Sequence, residues 1–132
     1  CDRSVRRDRR VDCVATHREN RETRLRGAGV NVAAGADNLQ DPFNPVGRGD
    51  CLETAGLMVM VGHLLPDDAY STVSNAARAA MGLPLAGTAV GMAGDLVLLP
   101  AGNTREAIAF APDSRTVIRR GVVQSEPNEQ FV

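Results

Sequence analysis

The sequence lacks lysine and tryptophan, and it is poor in aromatic residues. All fifteen basic side chains are arginine, and the formal net charge of -1 gives no overall field that would attract nucleic acid or an acidic membrane surface. Three phenylalanines and one tyrosine supply too few flat surfaces for stacking on single-stranded nucleic acid. We therefore expect neither nucleic acid nor a membrane as a partner.

Cysteine and long apolar runs are also scarce. Cys1, Cys13 and Cys51 form an odd set without a Cys-x-x-Cys spacing, which favours reduced thiols over a disulfide framework or a zinc cluster. The longest apolar run, over 57–65, is too short to span a bilayer, and the first residues are charged rather than apolar. These features predict a cytoplasmic protein, and 132 residues suffice for one modest domain.

The first fifteen residues are dense in arginine and show no hydrophobic period. This composition predicts a solvated, poorly ordered segment over 1–15. A basic binding arm is the alternative, but Asp2, Asp8 and Asp12 interrupt the positive charge.

The next residues predict a helix followed by a strand. Thr16 and Glu19 have capping-box spacing, and Gly27 and Gly29 end the helix. Residues 30–34 predict a short buried strand of the kind found in parallel sheets. Such a strand needs neighbours on both sides to bond its N–H and C=O groups. Because the sequence supplies no obvious neighbours and opens with Cys rather than Met, we expect it to be a piece of a longer protein.

A loop over 36–49 leads to two predicted helices. Asp50 and Glu53, again with capping-box spacing, open a helix over 51–64. This helix is apolar on most sides, which predicts that it is largely buried. A second helix is predicted over 66–81, because a proline starts it and a Gly-Leu-Pro sequence follows it.

The remainder of the sequence predicts a small β element. A glycine-rich loop over 85–94 precedes a strand over 95–99, and Asn103 caps a short helix with the sequence TREAIAF. The sequence RTVIRRGVVQ then predicts two short strands about a turn at Arg120-Gly121, followed by a polar tail.

Three of these motifs, in this order, resemble a known family. The sequence GVNVAAGADNLQDPFNPVGRGD is similar to the last barrel strand and following loop of cytosine deaminase-like enzymes in the amidohydrolase superfamily. The sequence VSNAARAAMGLPLAGTAVGMAGDLVLLPA resembles that superfamily's C-terminal signature, with Gly94 where the family pattern usually has Ala. The final RTVIRRGVVQ resembles the strand pair that closes such proteins, so the likeness runs over 24–124.

The resemblance implies an α/β fold. Residues 16–84 would form the C-terminal part of a (β/α)8 TIM-like barrel, as the last αβ unit and its helices. Residues 85–124 would supply the C-terminal strands of a small β-sandwich, and residues 125–132 a tail. The implied function is metal-dependent hydrolytic deamination of cytosine or a related amino-substituted ring. The partners would be this small heterocyclic substrate and water, with a homo-oligomeric parent enzyme left open.

The same resemblance implies the site residues. Asp37 would bind a zinc or iron ion and accept a proton from the metal-bound water, since active sites lie at the C-terminal ends of barrel strands. Asn38 and Phe43 would contact the substrate, while Asp41 and its neighbouring prolines would shape the loop. The histidine ligands would come from earlier strands.

The two histidines of this sequence do not fit the ligand pattern. His17 lies at a predicted helix start and His63 near the end of an apolar helix, and neither has the context of the family's His-x-His pair. We expect both to be structural. One carboxylate alone does not hold a catalytic metal ion.

Other interpretations remain open at the level of sequence. Asp37-Asn38 also fits a simple turn after a strand, and Phe43 equally fits a core position. Because bacterial cytosine deaminase has a second Asp where this chain has Asn38, an aminohydrolase acting on triazine or ammelide-type rings is an alternative. A non-catalytic helical interaction module, formed by the helices over 51–64 and 67–81, is another.

These interpretations differ in a measurable way. If the chain is a piece of a deaminase, residues 1–132 alone should neither hold stoichiometric zinc or iron nor release ammonia from cytosine, and they should aggregate through uncovered apolar faces. Metal analysis, an ammonia assay and sedimentation of the purified chain test this. A cooperative melt of a stable monomer or dimer would instead support the interaction module.

Overall fold

The computed structural model describes residues 21–125, which contain five helices and a small three-stranded antiparallel sheet. The helices are α1 (Arg21–Gly27), α2 (Cys51–Met60), α3 (Pro66–Val73), α4 (Asn75–Ala80) and α5 (Thr104–Phe110). The strands are β1 (Leu96–Leu98), β2 (Thr116–Arg119) and β3 (Val122–Ser125). The predicted segment 1–15, the capping box at Thr16 and all but the first residue of the predicted tail 125–132 lie outside the described residues.

Helix α1 ends as its glycines predicted. Gly29 has a φ of 78°, in the left-handed region that a residue with a Cβ adopts only at a cost. Its N–H donates to the carbonyl of Arg26 at 2.9 Å, and the N–H of Val30 donates to Leu25 at 3.0 Å. These bonds satisfy carbonyls at the end of the helix and turn the chain sharply.

The predicted buried strand over 30–34 is wrong as a strand. The segment does not form a strand, and none of its residues pairs with a strand in the described part of the chain. It is not buried either, since Val30 is 48% exposed. The physical reason is the one that the sequence suggested: a strand forms only where a neighbour accepts and donates its backbone hydrogen bonds, and residues 21–125 offer none here.

Helix α2 begins where the sequence predicted but is shorter and less buried. The carboxylate of Asp50 accepts a hydrogen bond from the N–H of Leu52 at 3.0 Å, which caps the helix. The helix ends at Met60 rather than at residue 64, because His63 has a φ of 50° and the N–H of Leu64 folds back to the carbonyl of Met58 at 3.1 Å. His63 therefore helps to close the helix.

The burial predicted for this helix is wrong within residues 21–125. Only Leu52 and Ala55 of α2 are buried, whereas Leu57 is 50% and Met60 68% exposed. An apolar side chain is buried only if another element covers it, and the described elements cover one side of α2. The exposed side is an apolar face without a described partner.

The second predicted helix begins at Pro66 as expected but divides into α3 and α4 at Ser74. The hydroxyl of Ser74 donates to the carbonyl of Tyr70 at 2.7 Å, and the N–H of Ser74 bonds to Ser71 at 3.2 Å instead of Tyr70. A serine hydroxyl that competes for the carbonyl four residues earlier is a known cause of helix bending.

The predicted β element is confirmed. The three strands have the order β1-β2-β3 and are all antiparallel. Strands β2 and β3 form a hairpin whose two turn residues, Arg120 and Gly121, have φ values of 52° and 78°, as a type I′ turn requires. Asn103 caps α5 by accepting a hydrogen bond from the N–H of Glu106 at 2.9 Å, as predicted.

Small side chains form the buried core. Helices α2, α3 and α5 pack on one another, and alanine predominates among their buried positions, so that the backbones can approach closely. Apart from two glycines, the buried residues in 21–125 are Leu52, Ala55, Leu64, Ala69, Thr72, Ala76, Ala107 and Ala111. None of the helices within 21–125 is long and apolar enough to cross a lipid bilayer.

Polar side chains join the helices to the β element. The carboxamide of Asn75 donates to the carbonyl of Ala86 at 3.0 Å and accepts from its N–H at 2.9 Å, so it pairs with the backbone as a neighbouring strand would. Arg78 forms an ion pair with Asp95 at 3.0 Å. The N–H of Gly121 in the hairpin turn donates to the carbonyl of Gly94 at 2.9 Å.

A further ion pair links α2 to the segment before β2. Arg115 binds Asp50 through two parallel hydrogen bonds of 2.9 and 2.6 Å, a geometry that favours a charged carboxylate. The hydrogen bond from Arg115 is the main reason that the pKa of Asp50 lies below its usual range, although partial burial opposes it. Because the folded-state pKa is depressed, the pair stabilises the fold above the unfolded pKa of about 3.9. That contribution is lost as pH falls through the folded-state value.

We predict that Arg115→Met raises the pKa of Asp50 toward its ordinary value, because the main hydrogen-bond donor is removed. Carbon NMR of the Asp50 carboxyl group across a pH titration measures it. Arg48→Met is the matched control, since Arg48 lies 3.8 Å from Asp50 and is half exposed, and it should produce a smaller rise. Equal shifts in the two variants would contradict this account of the pair.

Candidate active site

The segment that leads to Asp37 is held by helices rather than by strands. The N–H of Ala34 donates to the carbonyl of Thr72 at 3.0 Å, and the side-chain amide of Asn31 donates to the carbonyl of Ala76 at 2.9 Å. Thr72 belongs to α3 and Ala76 to α4, so the segment crosses both helices. These two bonds limit both sliding and rotation of the segment.

An ion pair adds a third attachment. Arg26, at the end of α1, binds Asp68 of α3 at 2.7 Å. Asp68, Thr72 and Ala76 are spaced four residues apart, so they follow one stripe along α3 and α4, although the helix is interrupted between the last two. We name these three residues the anchoring stripe.

Asp37 lies immediately beyond the anchored segment. It is exposed, and its carboxylate makes no hydrogen bond or ion pair with any residue in 21–125. The alternative in which Asp37 binds its own backbone in a turn is therefore not observed. Its assignment as a metal ligand and proton acceptor remains a prediction.

Asp41, not Asp37, organises the turn. One of its oxygens accepts hydrogen bonds from the N–H groups of Phe43 at 2.9 Å and Asn44 at 3.0 Å. Its other oxygen accepts from the side-chain amide of Asn38. Desolvation, the largest single effect, acts to raise the pKa of Asp41, but the hydrogen bonds from Asn44, Asn38 and Phe43 together hold it below its ordinary value. The prediction that Asp41 shapes the loop is confirmed.

The loop is also closed by Asn44 and Gly47. The side-chain amide of Asn44 donates to the backbone carbonyl of Asn38 at 3.1 Å. Gly47 is buried against this contact, and a Cβ at that position would lie 2.5 Å from Asn44 Nδ2 and 2.9 Å from Asn38 O. A side chain at position 47 would therefore push the two asparagines apart.

The two predicted substrate contacts lie in different environments. Asn38 is half-buried, and its side chain is held by Asp41, whereas the ring of Phe43 is 85% exposed. Phe43 therefore packs into no core formed by residues 21–125. The assignment of both residues to substrate binding stays a prediction.

Comparison with known proteins identifies two relatives of this chain. No protein-family model matches the chain. A pterin deaminase from Rhizobium rhizogenes strain K84 is 35% identical over 102 residues, which cover 75% of this chain and 23% of that protein. The crystal structure of 5-methylcytosine deaminase from Klebsiella pneumoniae with 5-fluorocytosine matches with a TM-score of 0.64 and 28% identity, covering 85% of this chain and 28% of that one.

The chain is a distant homologue of amidohydrolase-superfamily deaminases. It spans about a quarter of the length of the two relatives. The superfamily resemblance inferred from the sequence is thereby confirmed. At the level of fold, this deaminase homologue is a mixed α/β structure that matches part of a 5-methylcytosine deaminase and contains a three-stranded antiparallel sheet.

The residues described for this deaminase homologue do not form a metal site by themselves. No group of three or more His, Cys, Asp or Glu side chains in 21–125 is placed to share an ion. Asp37 offers one exposed carboxylate, and a catalytic zinc ion takes three protein ligands. The fit of Asp37 to a metal therefore depends on ligands from outside the described residues.

The described residues also form a cavity that Asp37 does not line. It has a volume of about 530 Å³ and lies between α2, α3, α4 and the sheet, where Leu52, Tyr70, Arg78, Leu96 and Arg115 line part of it. None of the three predicted site residues lines this cavity. It belongs to the junction between helices and sheet rather than to the candidate active site.

Sequence reasoning missed Asn31 and Asn44 as residues that build the site. Asn31 carried a signal, because it is the single polar residue in the apolar run 30–34. A polar group in such a run needs a hydrogen-bond partner, and the structure places that partner in α4. Asn44 gave no comparable signal, since asparagine is common in loops for many reasons.

We predict that Asn31→Leu loosens the segment that carries Asp37, because leucine keeps the apolar character but cannot bond to Ala76. Hydrogen exchange of the Ala34 N–H, which donates to Thr72, should then become faster. Val30→Thr in the same segment is the control, since this side chain is half exposed and should leave the exchange unchanged. An Asn31→Leu protein with unchanged exchange at Ala34 would contradict the anchoring role.

Proposed function

We propose that the chain is the C-terminal part of a metal-dependent amidohydrolase that deaminates cytosine or a related amino-substituted ring. The observation that carries this proposal is the placement of Asp37 at the exposed end of a segment anchored to two helices, in a chain homologous to two deaminases. The pterin deaminase and the 5-methylcytosine deaminase are both named for rings that bear an exocyclic amine.

In this proposal, residues 30–34 become the last strand of a (β/α)8 barrel when the preceding strands are present. Two features support it: the segment lacks a strand partner within 21–125, and one face of α2 is apolar and exposed. Residues 16–84 then form the last barrel unit with its helices, and residues 85–124 contribute strands to a β-sandwich. Active sites of such barrels lie at the C-terminal ends of the strands, where Asp37 would stand.

The proposed role of Asp37 is to hold and move a proton. In hydrolytic deamination, a water oxygen bonds to the ring carbon, the bond from that carbon to the exocyclic nitrogen breaks, and ammonia leaves. A carboxylate that accepts the proton from the attacking water and delivers it to the departing nitrogen balances this reaction. An exposed carboxylate without a competing partner in the described chain suits that role.

A zinc or iron ion at Asp37 would take its remaining ligands from other parts of the full-length protein. Residues 21–125 supply no such ligand set. The substrate would be a pyrimidine or related heterocycle, with water as the second reactant, and we place the enzyme in the cytoplasm. The names of the two relatives favour pyrimidine or pterin-type rings over triazine or ammelide-type rings.

We predict that Asp37→Asn in the full-length protein lowers kcat/KM for ring deamination by about a hundredfold or more, since an amide cannot accept the proton. Ammonia release from cytosine, 5-methylcytosine and pterin measures the effect. Asp67→Asn, an exposed carboxylate in the first turn of α3, is the control and should leave the rate unchanged. Full activity of the Asp37→Asn protein would reject the assignment, and a wild-type protein that deaminates none of the three rings would reject the proposed function.

A further inference from the structure

The side chain of Asn38 is oriented by its neighbour Asp41. Its Nδ2 donates to Asp41 Oδ2, while Asp41 Oδ1 accepts from the backbone N–H groups of Phe43 and Asn44. Both oxygens of one carboxylate are therefore engaged by donors. A carboxylate accepts hydrogen bonds and donates none when ionised, so the group that faces it must be the NH₂ end of the carboxamide.

The carboxylate of Asp41 fixes which end of the Asn38 carboxamide faces outward, because this partner permits one orientation only. Desolvation acts to raise the pKa of Asp41 and the same three hydrogen bonds together lower it, so the carboxylate is ionised around neutral pH like an ordinary aspartate. The oxygen Oδ1 of Asn38 accepts no hydrogen bond from any residue in 21–125.

The backbone of Asn38 is held as well. Asn44 donates to its carbonyl at 3.1 Å, and Gly47 packs against that contact. A half-buried side chain that is fixed at both backbone and amide presents its remaining polar atom in one direction. Such preorganised groups discriminate between ligands more sharply than mobile ones do.

We propose that Asp41 is a specificity-determining positioning residue, which makes Asn38 present a hydrogen-bond acceptor to the substrate ring. The proposal rests on the proposed function, because it assumes that the ring binds beside Asp37 and Asn38. Its consequence is a preference for rings that offer an N–H donor at the edge facing Asn38. A ring that offers only an acceptor there would place that atom against Asn38 Oδ1, and neither acceptor would have a hydrogen-bond donor.

Asp41→Asn tests the proposal in a specific way. The carboxamide oxygen introduced at position 41 can still accept the bonds from Phe43 and Asn44, so the turn is retained. The new NH₂ group can donate to Asn38 Oδ1, which turns the NH₂ of Asn38 outward and reverses the polarity shown to the substrate. The double variant Asn38→Asp with Asp41→Asn restores an outward acceptor. In it, the carboxylate at position 38 accepts from the amide at position 41 and keeps a second oxygen for the ring.

The readout is the ratio of kcat/KM for rings with and without one N–H donor, measured on the full-length protein. Cytosine with 1-methylcytosine is one pair, and pterin with its ring-N-methyl derivative is another. The wild type should favour the N–H ring, Asp41→Asn should reduce that preference about tenfold or more, and the double variant should recover it. Asp41→Ala, which loses both the turn acceptor and the group that orients Asn38, should lower the values for both rings and also weaken the preference.

A purely structural role for Asp41 predicts a different pattern. In that case the ratio of kcat/KM for the two rings would be the same in every variant, even where the absolute values fall. That result overturns the proposal. The recovery in the double variant is the decisive arm, since two substitutions in a merely structural loop have no reason to cancel in substrate preference.

A second measurement is independent of turnover. NMR of the Asn38 side-chain NH₂ group should show one proton that is protected from exchange in the wild type and that shifts as Asp41 is protonated at acidic pH. Protection should fall in Asp41→Ala. If both protons exchange as freely as those of an exposed asparagine, the proposal fails even for an active enzyme. If they are protected but no ring is deaminated, the proposed function fails and the orientation of Asn38 stands.

Discussion

The lack of strand partners for the segment before Asp37 is the constraint on which the candidate site depends. Residues 30–36 carry backbone groups that would normally pair with neighbouring strands, and within 21–125 no strand pairs with them. The anchoring stripe on α3 and α4 takes over part of this function, through one backbone bond, one side-chain bond and one ion pair. Because these bonds act along a single stripe, the position of Asp37 follows from the packing of two short helices.

Polar side chains also connect the elements elsewhere in the structure. The buried core consists mainly of alanine, and small side chains remove little apolar area from water. Longer polar side chains connect the elements that this core does not reach: Asn75 pairs with the backbone of Ala86, Arg78 reaches Asp95, and Arg115 reaches Asp50. Together they fix the small sheet against the helices. Polar side chains therefore connect both the candidate site and the sheet to the helices.

Local signals in the sequence were sufficient for most of the elements. The caps at Asp50 and Asn103, the proline at the start of α3 and the Arg120-Gly121 turn act through bonds to residues within a few positions, and each was predicted correctly. The break at Ser74 also has a local cause, but serine occurs within many unbroken helices, so its presence alone did not predict one.

Burial and pairing were predicted poorly because they depend on partners. An apolar run over 30–34 and an apolar helix α2 both indicated buried elements, yet the described residues leave much of each exposed. The loop around Asp41 was predicted in part. Its role in shaping the turn followed from the Asp-Pro sequence, but its effect on Asn38 required the structure, since no spacing rule indicates which end of an amide faces a carboxylate.

The contact between Gly94 and the hairpin turn has a consequence for how these sequences vary. A Cβ built on Gly94 would lie 3.0 Å from the backbone nitrogen of Gly121 and 3.4 Å from its Cα, closer than carbon and nitrogen atoms normally approach. The family that this sequence resembles usually has alanine at this position, and a Cβ there would require the hairpin to lie a few tenths of an ångström farther away. Position 94 and the geometry of the last two strands should therefore change together among homologues, as a covarying pair.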